Sequence, residues 1–177
     1  MTTPSAERKF IPVRIAVLTV SDSRDLSTDK SGDTLVARIE GAGHLLAGRE
    51  IVTDDVDNIV AQLNTWISDD NVDVVISTGG TGVTGRDVTP EAFQKVFEKE
   101  IPGFGELFRT ISFAKIGTST IQSRAVGGVS RGTYLFALPG SPGACKDGWD
   151  DILVHQLDYR FGPCNFVELM PRLTEHL

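Results

Sequence analysis

Short uninterrupted apolar runs alternate along this chain with segments whose apolar residues recur at helical spacing. Residues 13–20 (VRIAVLTV) are β-branched and almost continuous, which predicts a strand covered on both faces. Residues 31–42 place Leu35, Ile39 and Ala42 on one helical face and stop at Gly43, a residue suited to a helix C-terminus. Leu45–Val52 predicts a second strand and 72–77 a third. Between them, Ile59, Leu63, Trp66 and Ile67 mark a helix over 57–68. Thr89-Pro90 reads as an N-cap with proline at the first helical position, opening a helix that buries Phe93, Val96 and Phe97. Another helix follows Ile101-Pro102-Gly103 and carries Phe104, Leu107, Phe108 and Ile111. Residues 124–129 and 133–138 predict a hairpin across Ser130-Arg131-Gly132. Thr133–Leu138 is the last buried strand, and Ser141-Pro142 starts a long helix with Trp149, Ile152, Leu153 and Leu157. This alternation predicts one doubly wound α/β domain with a mostly parallel sheet over 13–177, preceded by a loose arm over 1–12.

Composition narrows the partners. The chain has 177 residues, a formal net charge of −7, 40% hydrophobic and 23% charged residues. A chain of this length buries roughly 70% of its unfolded surface and needs no disulfide or metal staple. The negative charge argues against a nucleic-acid binder, which carries a basic face, but leaves room for a small phosphorylated ligand held by backbone amides. No stretch approaches 18 apolar residues and the N-terminus is polar, so the expectation is a cytoplasmic protein away from any membrane. Cys145 and Cys164 are too few and too scattered for a disulfide framework or a zinc site. His44, His155 and His176 form no ligand or triad pattern.

In a doubly wound sheet, ligands bind outside the carboxyl ends of the strands, so the strand tips hold the candidate chemistry. The first strand is followed by Ser21-Asp22-Ser23-Arg24, the second by Thr53-Asp54-Asp55. The third runs into Thr78-Gly79-Gly80-Thr81-Gly82-Val83-Thr84-Gly85-Arg86-Asp87, the last into Pro139-Gly140-Ser141-Pro142-Gly143. Glycines remove Cβ bulk and allow positive φ, so successive N–H groups at 79–85 can turn toward one anion. The segment also matches G-x-G-x-x-G, but it follows the third strand and lacks the later acidic strand end that a dinucleotide site requires. Residues 139–143 form a second candidate anion site at a helix start, with plain capping by Ser141 as the alternative. Asp54 or Asp55, together with Asp87, would hold Mg²⁺ between carboxylates and phosphates. Each alone could equally be a cap or a surface charge. Five of nine phenylalanines, Phe93, Phe97, Phe104, Phe108 and Phe113, crowd one window, which suits either core packing or a subunit interface.

The run Thr78-Gly79-Gly80-Thr81-Gly82 with Arg86-Asp87-Val88-Thr89-Pro90, and then Leu138-Pro139-Gly140-Ser141-Pro142-Gly143, resembles the signatures of the MoaB/MogA family of molybdenum-cofactor biosynthesis proteins. The likeness spans about residues 12–172, and 116–125 with Cys164-Asn165-Phe166 is similar to the MoaB branch. The resemblance implies a three-layer α/β/α domain that assembles as homo-trimers or homo-hexamers. It implies Mg²⁺- and ATP-dependent adenylylation of molybdopterin, with Asp54 (Asp55 as the register alternative) and Asp87 as the acidic catalytic and metal-holding positions. Ser21, Asp22 and Ser23, Thr78 to Gly82, and Pro139, Gly140, Ser141 and Pro142 would surround the pterin phosphate and the nucleotide. Two alternatives stay open: a non-catalytic molybdopterin carrier of the same pathway, and a nucleotide-cleaving relative such as the CinA-type domain.

Overall fold

The computed structural model describes residues 4–176. A six-stranded sheet runs in the order β2-β1-β3-β6-β5-β4. Its strands are β1 (Arg14–Val20), β2 (Leu45–Val52), β3 (Val74–Thr78), β4 (Lys99–Glu100), β5 (Val126–Ser130) and β6 (Thr133–Leu138). β2, β1, β3 and β6 are parallel; β5 and β4 are antiparallel additions at one edge. The helices are α1 (Lys30–Gly41), α2 (Val56–Ile67), α3 (Thr89–Val96), α4 (Pro102–Ile116) and α5 (Pro142–Gly148). α5 continues through a π turn, Trp149–Leu153, into α6 (Val154–Gln156), and α7 (Phe166–Leu169) follows.

Period-2 alternation sends the central strands' side chains into two cores, which makes three layers. Ile15, Val17, Val74, Ile76, Tyr134 and Phe136 pack with α1, α4 and α5. Ala16, Leu18, Val75, Leu135 and Ala137 face the other way, against Ile59 and Leu63 of α2 and Phe93 of α3. Both faces are dry, which is why these strands read as nearly unbroken apolar runs. From β1 the chain winds to β2 on one side and later to β3 on the other, so the switch in strand order falls between the tips of β1 and β3.

Several sequence expectations shift in detail. Thr89 is not the cap of α3: the helix already includes it, the apolar Val88 stands at the cap position and makes no side-chain cap bond, and the Thr89 hydroxyl donates to Gly79 O at 2.9 Å. The hairpin closes as foreseen, with φ +48° at Arg131 and +88° at Gly132, the left-handed pair that a two-residue turn uses. Its first strand begins at Val126, two residues late, since Arg124 is turned toward the glycine loop. β4 and a 3₁₀ segment, Gly117–Gln122, had no periodicity to announce them. Phe93, Phe104 and Phe108 are buried and Phe97 is half-buried, so the aromatic window is mainly core; Phe113 alone stays exposed. The expected loose arm falls partly on residues 1–3, which lie outside the described residues. From Ser5 onward it is tied down: Ser5 N donates to Arg160 O, and Arg8 pairs with Glu168. Among the described residues no helix is long and apolar enough to cross a membrane.

Candidate functional site

β3 delivers the chain into the glycine loop, and the loop's backbone is set by its crowded neighbours. Gly79 has φ +104°, and a Cβ there would stand 2.2 Å from Val20 O. Gly80 has φ +65°, with Thr89 Oγ1 at 2.3 Å and Asp54 Oδ1 at 2.9 Å from any added Cβ. Gly82 differs from the sequence expectation: its φ is not positive, and its constraint is steric, an added Cβ lying 2.7 Å from Asp87 Oδ2. Backbone conformation restricts Gly79 and Gly80 to glycine, whereas a side chain at position 82 would have to displace the Asp87 carboxylate.

The Pro139–Ser141 turn at the tip of β6 leans on this loop. Thr78 Oγ1 donates to Pro139 O at 3.0 Å, and a Cβ on Gly140 would lie 3.1 Å from Gly79 Cα. Thr78 is fully buried and also accepts from the Cys145 thiol at 3.2 Å, so it joins the two loops beneath the surface. Burial drives the Cys145 thiol up to about 11, which keeps it protonated and inert. Ser141 caps α5 through its hydroxyl, which accepts from Ala144 N, and Pro142 occupies the first helical position. From the tip of β1, Arg24 donates to Gly140 O at 3.1 Å and pairs with the buried Asp29 at 3.8 Å. Asp29 also accepts from Thr19 Oγ1 at 2.6 Å and Gly32 N at 2.9 Å. Burial works to raise this carboxyl, but those bonds and Arg49 hold it below the ordinary value.

The three candidate carboxylates at the strand tips have different surroundings. Asp55 accepts from Asp57 N and Asn58 N as the N-cap of α2, which leaves Asp54 as the residue facing Gly80. Burial and the neighbouring Asp22 carboxylate push the Asp54 carboxyl upward. Asp87 is also partly buried, yet the Thr84 hydroxyl at 2.7 Å and the Thr84 amide at 2.8 Å pull it below the ordinary value. Asp22 accepts a two-pronged contact from Arg86, at 2.8 and 2.9 Å, and supports Asp54 N at 3.1 Å.

A cleft of about 490 Å³ lies between the two loops. Gly80, Thr81, Gly82 and Asp87 form one wall, and Pro139, Gly140 and Ser141 another. Ser21 and Asp22 sit elsewhere, beside a separate hollow of about 420 Å³ at the tips of β1 and β2, and Ser23 is exposed in the same turn. The structure thus brings Gly80 to Gly82, Asp87 and Pro139 to Ser141 into one cleft, sets Asp54 beside Gly80 but not among the lining residues, and leaves the β1 tip at the flank. Sequence reasoning missed the remaining wall: Phe108, Ser112 and Ile116 from α4, Ser119, Thr120 and Gln122 from the 3₁₀ segment, and Ser123 just after it. The polar run Gly117-Thr118-Ser119-Thr120 straight after an apolar helix was the available signal.

The family described as "Probable molybdopterin binding domain" matches residues 16–159. Molybdenum cofactor biosynthesis protein B of Escherichia coli (strain K12) is 50% identical over 158 residues, covering 89% of this chain and 93% of that protein. A crystal structure of Molybdenum cofactor biosynthesis protein B superposes with a TM-score of 0.85 at 37% identity, covering 95% of this chain and 99% of the other. The tungsten cofactor synthesizing protein MoaB from Pyrococcus furiosus superposes with a TM-score of 0.72 at 36% identity, over 80% and 91% of the two chains.

Proposed function

This chain belongs to the molybdopterin-binding family of molybdenum-cofactor biosynthesis proteins, and from that premise we propose that it catalyses Mg²⁺- and ATP-dependent adenylylation of molybdopterin. The observation that carries this reading is the meeting of a glycine loop and a helix start at one cleft lined by Asp87, with Asp54 beside Gly80 on the flank of the same loop. Molybdopterin's phosphate takes the glycine loop, and the nucleotide phosphates take the turn at Pro139, Gly140 and Ser141. An oxygen of the pterin's terminal phosphate attacks the α-phosphorus of ATP. A new P–O bond forms, the bond to the β-phosphate oxygen breaks, and pyrophosphate leaves. The protein's part is to hold the reacting atoms in line and to set the surrounding charge.

The aspartates fit a Mg²⁺ ion. Asp54 is half-buried and raised by burial and a like charge, so a cation beside it would relieve an unfavourable negative field. Among the described residues no group of three acidic, His or Cys side chains could cage a metal alone, which suits an ion drawing its other ligands from phosphates. When bound, Mg²⁺ would offset charge on the transferring phosphate. Assembly into homo-trimers or homo-hexamers belongs to the same proposal. The test is to mix protein, molybdopterin, ATP and Mg²⁺ and to assay adenylylated molybdopterin and pyrophosphate. Binding of pterin with no product at any Mg²⁺ level would favour a carrier of the same pathway.

A further inference from the structure

We propose that Arg124 is a positioning residue that shapes the glycine loop and places Asp87 without itself touching the ligand. The inference rests on the adenylylation reading only for its effect on turnover. Its own basis is geometric. Residues 83–86 are exposed, and Gly79 and Gly80 take left-handed conformations. The loop's own bonds close on Thr84, Asp87 and Thr89: Asp87 N donates to Thr84 O, the Thr84 amide and hydroxyl to the Asp87 carboxylate, Thr89 N to Gly80 O and the Thr89 hydroxyl to Gly79 O. None of them uses the Thr81 or Gly82 carbonyl. The exposed stretch between these closures has backbone freedom to lose.

Arg124 removes that freedom from outside. Its backbone N–H donates to Thr81 O at 3.1 Å, its Nε to Gly82 O at 2.7 Å, and its Nη2 to Asp87 O at 2.7 Å. Nη1 pairs with Glu91 in the first turn of α3. One residue therefore captures three carbonyls spread over seven positions of the loop, and the helix that follows the loop anchors the guanidinium. The planar fork is suited to this: its donors point in fixed, divergent directions, whereas a lysine ammonium is a compact point charge that cannot span three acceptors at once. Thr84 holds the carboxylate of Asp87 and Arg124 holds the carbonyl of the same residue, so losing Arg124 frees the backbone on which that Thr84–Asp87 pair sits.

The test compares wild type, Arg124→Lys, Arg124→Ala and Glu91→Gln. Amide hydrogen exchange needs no ligand: the proposal expects residues 79–88 to exchange at least about tenfold faster in both Arg124 variants, with β1, β3 and β6 unchanged. In the adenylylation assay, kcat falls by about 10²-fold with a smaller change in KM, because a misplacement of about an ångström costs that much. Guanidinium ion partly restores Arg124→Ala. Glu91→Gln, which keeps all three carbonyl bonds, stays close to wild type. Unchanged loop exchange in Arg124→Lys would overturn the proposal, as would Glu91→Gln damage equal to that of Arg124→Lys. Uniformly faster exchange throughout the fold would overturn it too, assigning Arg124 to global stability. A wild type without transferase activity would sink the adenylylation reading, while the exchange result would still decide the role of Arg124.

Discussion

Asp54 and Asp55 leave the same strand, yet only Asp54 turns toward the glycine loop, because Asp55 is occupied in capping α2. The charge of Asp54 should therefore matter for chemistry. Asp54→Asn and Asp87→Asn keep the side-chain shape and remove the charge that would hold a metal, and each should lower single-turnover adenylylation on the order of 10²–10³-fold. Pterin titrations should show affinity kept or improved, since removing a nearby negative charge eases approach of an anion. Gly80→Val should behave in the opposite way. The new side chain meets Thr89 Oγ1 and Asp54 Oδ1 in a left-handed backbone that a β-branched residue adopts only at high cost. Pterin binding should vanish in titration while circular dichroism reports a folded protein.

At the scale of the element, helix starts divide into structural caps and candidate ligand sites. α2 is capped by Asp55, whereas α3 has no side-chain cap because its N-cap residue is Val88, and Thr89 instead ties the helix start to Gly79 O. Asp55→Ala should cost about 1 kcal/mol in denaturant unfolding, as the loss of an N-cap does, and should leave turnover intact. A loss of turnover comparable to Asp54→Asn would show that the acidic role had been given to the wrong neighbour. α4 and the 3₁₀ segment after it divide their residues differently. Phe104 and Phe108 enter the core, Ser112 and Thr120 line the cleft, and Leu107, Phe113, Ile116 and Ile121 remain 47%, 58%, 56% and 82% exposed.

For the whole molecule, the exposed Leu107 and Phe113 of α4 are apolar area that the proposed assembly would remove from water, while Ile116 belongs to the cleft wall. Light scattering at micromolar concentration should show a trimer or hexamer, and a monomer would count against assembly through this region. Acid stability is a second global property. His44 Nδ1 accepts from Val13 N at 3.2 Å, and its ring lies edge-on to Trp149. Burial lowers its pKa from the ordinary 6.5, against a weaker opposing pull from Asp158. The unfolded chain thus takes up the proton first, so this residue's contribution is present above about pH 6.5 and is lost as pH falls through that value toward the folded pKa. The Tm should begin to fall there, and His44→Gln should flatten that part of the pH profile.

The amino-acid sequence alone announced the layers, the three buried parallel strands β1, β3 and β6, the edge strand β2 and the loops at their tips, because burial on both faces leaves continuous apolar runs and glycine marks backbone that other residues cannot follow. It also carried the family resemblance on its two loop motifs. It could not decide between Asp54 and Asp55, since a cap and a site carboxylate look alike until the helix start is placed. Nor could it show that Arg124 grips a loop some forty residues earlier, or that Ser112 and Thr120 face the same cleft as Gly80. Those contacts join residues whose separation along the chain carries no periodic signal, and only packing α4 and the 3₁₀ segment against the sheet brings them within reach.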